Sequence, residues 1–108
     1  MNTISSKTST VAPADVLGWL QYFFSSNCDG DWEHQYGVEI STTDNPGWYV
    51  KMDLAETEHS ELMFPEEKIE RSPEDWVMIS IKERVLFGAG GRSNLLEILT
   101  LMRAKLCS

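Results

Sequence analysis

The hydrophobic period changes twice along this chain of 108 residues, and the order of those changes leaves few folds open. Val16, Leu17, Trp19, Leu20, Phe23 and Phe24 recur at helical spacing. From Gly37 the period becomes two: Val38, Ile40 and Thr42 alternate with Glu39 and Ser41, then Trp48, Val50, Met52 and Leu54 alternate with Tyr49, Lys51 and Asp53. Trp76 to Ile81 and Val85 to Phe87 are further runs rich in β-formers. Leu95, Ile98, Leu99, Met102 and Leu106 then return to helical spacing. A chain of this length supports one core. Helix, strands and helix in that order predict an α+β domain: an antiparallel sheet of four or five strands with an N-terminal and a C-terminal helix packed on one face.

Local signals set the expected boundaries. Pro13 suits a first helical turn and Asp15 complements a helix N-terminus, so the first helix is expected over residues 13–26. Residues 1–12, rich in Ser and Thr, read as a flexible tail ahead of a single domain over 13–108. Thr43-Asp44-Asn45-Pro46-Gly47 is turn chemistry between two strands. The two apolar sets share a face only if paired residue numbers sum to an even number, which demands an odd loop, 45–47 or 43–47. A short edge strand is expected around Thr57 to Phe64, and a tight turn at Lys82-Glu83-Arg84. Gly88-Ala89-Gly90-Gly91 is expected to end the last strand, and Asn94 with Glu97 gives a capping-box-like start to the second helix.

Charge is unevenly distributed. Residues 29–75 hold 14 acids against Lys51, Lys68 and Arg71, a net −11, while residues 76–108 carry +3. The acidic middle disfavours a nucleic acid as direct partner, because phosphate binding relies on cationic side chains that release counterions. It favours a basic partner through long-range steering. No apolar run approaches the length of a membrane span, and neither helix has a basic face, so no membrane partner is implied. Cys28 and Cys107 lack the spacing of a redox or zinc motif and read as reduced thiols in a cytoplasmic protein.

The stretch from Cys28 to Gly37 concentrates chemistry: Asp29, Asp31, Glu33 and His34 sit beside Trp32 and Tyr36 at a junction between helix and strand. The aromatic rings favour burial and the carboxylates resist it, so the segment is expected half in and half out of the core. Ligand rules count against a metal: reading an EF-hand loop from Asp29 puts His34 where glycine is required and Ile40 where glutamate is required. Cys28 has no basic neighbour to lower its pKa, which counts against a nucleophile. The glycines at 88–91 lack the Lys-Ser/Thr that follows a phosphate-binding loop. No cofactor is implied. A binding surface remains, with Asp29, Asp31, Trp32, Glu33, His34, Asp44 and Trp48 as candidate contacts, Trp32 and Trp48 showing part of their rings.

Trp19-Leu20, the block Cys28 to His34, Tyr36-Gly37, Asp44 to Trp48, Asp53-Leu54, Asp75-Trp76, and Gly88 to Gly91 with Asn94-Leu95 and Glu97-Ile98 together resemble the immunity protein 53 family of bacterial polymorphic-toxin systems, over residues 16–103. The resemblance implies a small α+β antitoxin that binds and neutralises a cognate toxin domain in the cytoplasm. Joined to the charge pattern, it points to a basic toxin surface, such as that of a cationic nuclease, covered by an acidic face. The alternative is a small enzyme of sulfurtransferase-like or metal-assisted type using the Cys28–His34 segment, since relatives often carry a sulfurtransferase label.

Overall fold

The computed structural model describes residues 15–107; the expected tail and Pro13 lie outside them. Helix α1 (Val16–Asn27) begins three residues later than the sequence suggests. Asp15 is its cap rather than a first-turn residue, with its carboxylate accepting from the Gly18 N–H at 2.6 Å. Val16, Trp19, Leu20 and Phe23 turn toward the core, while Leu17 is 61% exposed.

A single helical turn, α2 (Trp32–Gln35), precedes five strands: β1 (Val38–Thr43), β2 (Gly47–Asp53), β3 (Glu67–Glu70), β4 (Trp76–Lys82) and β5 (Val85–Gly91). They form one antiparallel sheet in the order β1-β2-β5-β4-β3, and α3 (Leu95–Cys107) follows the last strand. The fold is the expected α+β arrangement. Helix α3 packs on β5, β4 and β2, and α1 packs on α3. Val50, Met52, Val77, Ile79 and Leu86 meet Ile98, Leu99 and Met102 in the core beneath the helices. The other sheet face carries half-buried Tyr49, Phe87, Met78 and Trp76, with the first two rings 6.2 Å apart.

The parity argument holds, with a shifted loop. Pairs such as Thr42↔Trp48 and Thr43↔Gly47 have even sums, and the ladder runs one pair beyond the 43–47 alternative, leaving a three-residue loop at 44–46. The second hairpin is tighter than expected. Lys82 pairs with Val85, so only Glu83 and Arg84 turn, both with positive φ (53° and 65°), as a two-residue turn of the favoured twist requires.

Residues 57–64 are not a strand. Thr57 Oγ1 donates to the Leu54 carbonyl at 2.8 Å and accepts from the His59 N–H at 3.0 Å, and backbone turns link Ser60 to Thr57 and Leu62 to His59. A threonine that bonds its own neighbours competes with ladder formation. The edge strand starts at Glu67, beyond Pro65, and all four of its residues are exposed. Its two glutamates and one lysine discourage further pairing at that edge.

The last strand ends at Gly91, within the expected glycines, but Gly88 and Gly90 are ladder residues of β5 rather than its exit. A methyl group added at Gly88 would lie 2.5 Å from Ile98 Cγ2 and 2.9 Å from Met102 Sδ, and one at Gly90 would lie 3.0 Å from Ile98 Cδ1. They are absent side chains that let α3 settle onto the central strand. Gly88→Ala is therefore expected to cost about 2 kcal/mol in urea denaturation. Ile98→Ala, which removes the clashing methyl, should cost less in the Gly88→Ala background than alone. Strict additivity of the two changes would show that the helix does not rest on Gly88.

Candidate functional site

The segment between α1 and β1 is built around one ring. Trp32 is 2% exposed, packed edge-on to Phe23 at 6.2 Å and Phe24 at 6.0 Å, with Tyr36 6.2 Å away. Its indole N–H donates to the Ala55 carbonyl at 3.0 Å, which satisfies the one polar atom the ring brings into the core. The expectation that Trp32 shows part of its ring is corrected: a buried indole with its donor used has no face to offer a partner. Trp48, also expected to show part of its ring, is half-buried, as are Tyr36, Tyr49 and Trp76. The Trp48 indole donates to the Arg92 carbonyl at 3.0 Å.

Above Trp32 the carboxylates close a reciprocal cap. Asp29 Oδ1 accepts from the N–H groups of Asp31 and Trp32 at 2.9 and 3.0 Å, and Glu33 reaches back to the N–H groups of Asp29 and Gly30 at 2.9 and 2.8 Å. Gly30 has φ of 97°, a conformation that favours glycine, and this lets the loop double back onto Glu33. The backbone donors hold both carboxyls below their ordinary pKa: Asp29 chiefly through the Trp32 and Asp31 N–H groups, Glu33 through the N–H groups around it. Asp31 and His34 are exposed and make no side-chain hydrogen bond of this network. Gly37 closes the segment, its N–H donating to Asp53 Oδ2 at 2.9 Å.

The seven candidate residues do not converge. Asp29, Asp31, Trp32, Glu33 and His34 share one end of the sheet, whereas Asp44 occupies the β1–β2 turn and Trp48 lies just past it, a strand length or about 20 Å away. What joins the first group is a loop the sequence disguised as a strand. The Trp32–Ala55 bond brings the chain at Ala55 against the ring beneath the capped loop, and the turns that follow carry Glu56, Glu58 and Glu61. Arg84 reaches Glu61 at 3.6 Å, and His59 approaches Glu58 at 3.5 Å. The edge strand expected around Thr57 to Phe64 is absent from this stretch. The Thr57-Glu58-His59-Ser60 stretch, with threonine two residues before the residue whose N–H it accepts, was the signal for turns.

A second network sits at the other end of the sheet. Arg71 bonds Asp75 and Glu97, and Asn94, 6% exposed at the start of α3, donates to both carboxylates at 3.0 and 3.1 Å. Asp75 is held below its usual pKa, first by Arg71 and then by Asn94. The network ties the β3–β4 turn to the helix start, so the Asn94–Glu97 pair acts through side chains rather than as a reciprocal backbone cap.

For chemistry the acidic end offers little. Cys28 donates to the Phe24 carbonyl, and its thiol is pushed above its ordinary pKa by desolvation first and then by Glu33 and Asp29, the reverse of what a nucleophile needs. Among the described residues no group of three His, Cys, Asp or Glu is placed to hold a metal ion, and no helix is long and apolar enough to cross a membrane.

A family model described as immunity protein 53 matches residues 17–106. No curated protein and no solved structure matches the chain.

The caps give a pH signature. Both carboxyls are depressed in the folded state, so the stability they add is present above their unfolded pKa and is lost as pH falls through the folded one. Asp29→Asn with Glu33→Gln should lower the urea midpoint at pH 7 and flatten its fall below about pH 4.5. An acid slope equal to that of the wild type would show that these carboxylates do not hold the loop.

Proposed function

The chain belongs to the immunity protein 53 family, and we propose that it is a non-catalytic antitoxin that binds a cognate toxin domain in the cytoplasm and covers a basic surface of it with one acidic end. The reading rests on the Trp32–Ala55 tie. It holds the chain at Ala55 against the ring beneath the loop that carries Asp29, Asp31 and Glu33, and the stretch leaving Ala55 carries Glu56, Glu58 and Glu61, the last paired with Arg84. Like charges gathered on a solvated surface repel, and a cationic partner relieves that repulsion while the same field speeds encounter.

Within this proposal the residues divide. Asp31 and His34 stand outward and free of the capping bonds; Asp29 and Glu33 hold the loop in shape and add their charge to its field. Trp32 acts from beneath by fixing both loops. Asp44 and Trp48 belong to a separate zone that a partner reaches only by extending along β1. A toxin domain with a cationic substrate groove, such as a nuclease, fits this charge pattern.

Stopped-flow association with the toxin domain encoded beside this chain tests the reading. The rate should fall as salt rises from about 50 mM to about 500 mM. Asp31→Asn with Glu56→Gln should slow association about threefold with an unchanged thermal midpoint. A rate indifferent to both salt and substitution would remove the acidic end from the interface.

A further inference from the structure

The two edge strands of the sheet are not alike. At β3 further pairing is discouraged: Pro65 stands ahead of the strand, its charged residues are exposed, and Lys105 of α3 bonds Glu67. β1 carries none of these devices. Its six residues contain no proline and no lysine, and they pair one to one with β2 without a bulge. A straight edge of this kind is a template for another strand.

The phase of the ladder tells which backbone groups face outward. The Asp53 N–H donates to the Gly37 carbonyl at 3.1 Å, and residues 37 and 53 continue the register of Val38↔Met52, so the odd-numbered residues of β1 bond β2. Val38, Ile40 and Thr42 therefore direct their N–H and carbonyl groups away from the sheet, and among the described residues nothing bonds them. Their side chains lie on the helix-facing side, with Glu39 and Ser41 on the other. Because the helices rest on β2, β4 and β5, Ile40 is left 39% exposed although its ladder partner Val50 is fully buried.

Charge along this edge has one sign. No lysine or arginine occurs between Lys7 and Lys51, whereas Asp31 and Glu33 precede β1, Glu39 lies within it and Asp44 follows it. Lys51, across the ladder from Glu39, is one strand in from the edge. A second copy laid antiparallel along β1 would bring the Asp44 turn of one chain toward the 29–33 loop of the other, and each chain has a net charge of −8. A cationic strand meets no such opposition.

We propose that the outer edge of β1 receives an extended segment of the partner protein, about five residues long, whose side chains alternate between apolar and cationic. Antiparallel addition continues the pattern of the sheet. The apolar residues of the segment stand beside Val38, Ile40 and Thr42, its cations stand beside Glu39 on the opposite face, and acids flank both of its ends. Main-chain bonds supply affinity, and the alternate side chains supply specificity. β1 spans the interval between the 29–34 segment and Asp44, so one bound strand joins the two zones into which the candidate contacts divide. That the partner is a toxin rests on the function proposed above; the chemistry of the edge does not.

The test uses the full chain and a synthetic peptide, acetyl-Lys-Val-Lys-Val-Lys-Val amide, followed by residue-resolved amide hydrogen exchange. With the peptide at about ten times its Kd, the N–H groups of Val38, Ile40 and Thr42 should exchange about tenfold more slowly, while Glu39 and Ser41, already bonded to β2, stay unchanged. Methylating the valine amides of the peptide, which face β1 in this register, should abolish binding; methylating its lysine amides, which face away, should leave binding intact. Ile40→Lys, at an exposed position, should weaken binding at least about fivefold with an unchanged thermal midpoint, and the methylated peptides ask the same question of the unaltered chain. Absence of protection, protection of odd and even residues alike, or equal binding of the two methylated peptides would overturn the proposal. So would slow exchange at Val38, Ile40 and Thr42 in the chain alone, where a dimer in sedimentation would identify the occupant as a second copy. Peptide binding without toxin association counts against the antitoxin reading alone. Toxin association that leaves these three amides exchanging freely counts against the edge alone.

Discussion

Helix α3 approaches β5 more closely than a strand with side chains would permit, and the rest of the fold is arranged around that approach. Beyond Leu86, Gly88 and Gly90 leave the helix-facing side of the central strand without side chains, so Ile98 and Met102 fill the space where methyl groups would otherwise stand. The neighbours supply the apolar mass that β5 lacks: Val50 and Met52 from β2, Val77 and Ile79 from β4. Each such side chain, fully buried, is worth about 1.5–3 kcal/mol. Helix α1 then has a surface to pack on, and Trp19 and Phe23 extend the same core to Trp32. The acidic loops are thus held at the far end of a continuous chain of apolar contacts that starts at two glycines.

How much of this was legible in the sequence follows from which interactions are local. Helical periods reveal α1 and α3, alternation reveals β1 and β2, and runs of β-formers reveal β4 and β5, because each element carries its signal in its own residues. The parity of the first hairpin was legible for the same reason, although the choice among loops depended on how far the ladder ran. The glycines of β5 were read as a strand exit because their reason lies in Ile98 and Met102, residues that no local pattern connects to them. The edge strand expected at residues 57–64 gives way to turns, because the deciding contact is a single threonine hydroxyl bonding its own neighbours.

The candidate site shows the same division. That Asp29 to Tyr36 lies half in and half out of the core was readable from its composition. That Asp29 and Glu33 cap the loop they sit on was not, since it depends on Gly30 folding the chain back. The acids at 56–61 could be joined to those at 29–33 only through the indole of Trp32, a contact across 23 residues of sequence. Packing in the core therefore decides which charges stand together outside it. The surface charge pattern is in this sense a product of hydrophobic assembly rather than an independent feature.

The strand order has a consequence for how the molecule comes into being. β5 sits in the middle of the sheet, yet it and α3 are the last strand and last helix in the chain order. Until residues 85–107 have left the ribosome, β1–β2 and β3–β4 are two pairs with no strand between them and no helix above. Two-stranded pieces of this kind are marginal in water. The nascent chain therefore gains its stability abruptly, when β5 and α3 arrive, and termination before Val85 yields fragments with nothing to close upon. A chain interrupted before β5 supplies no partly folded copies.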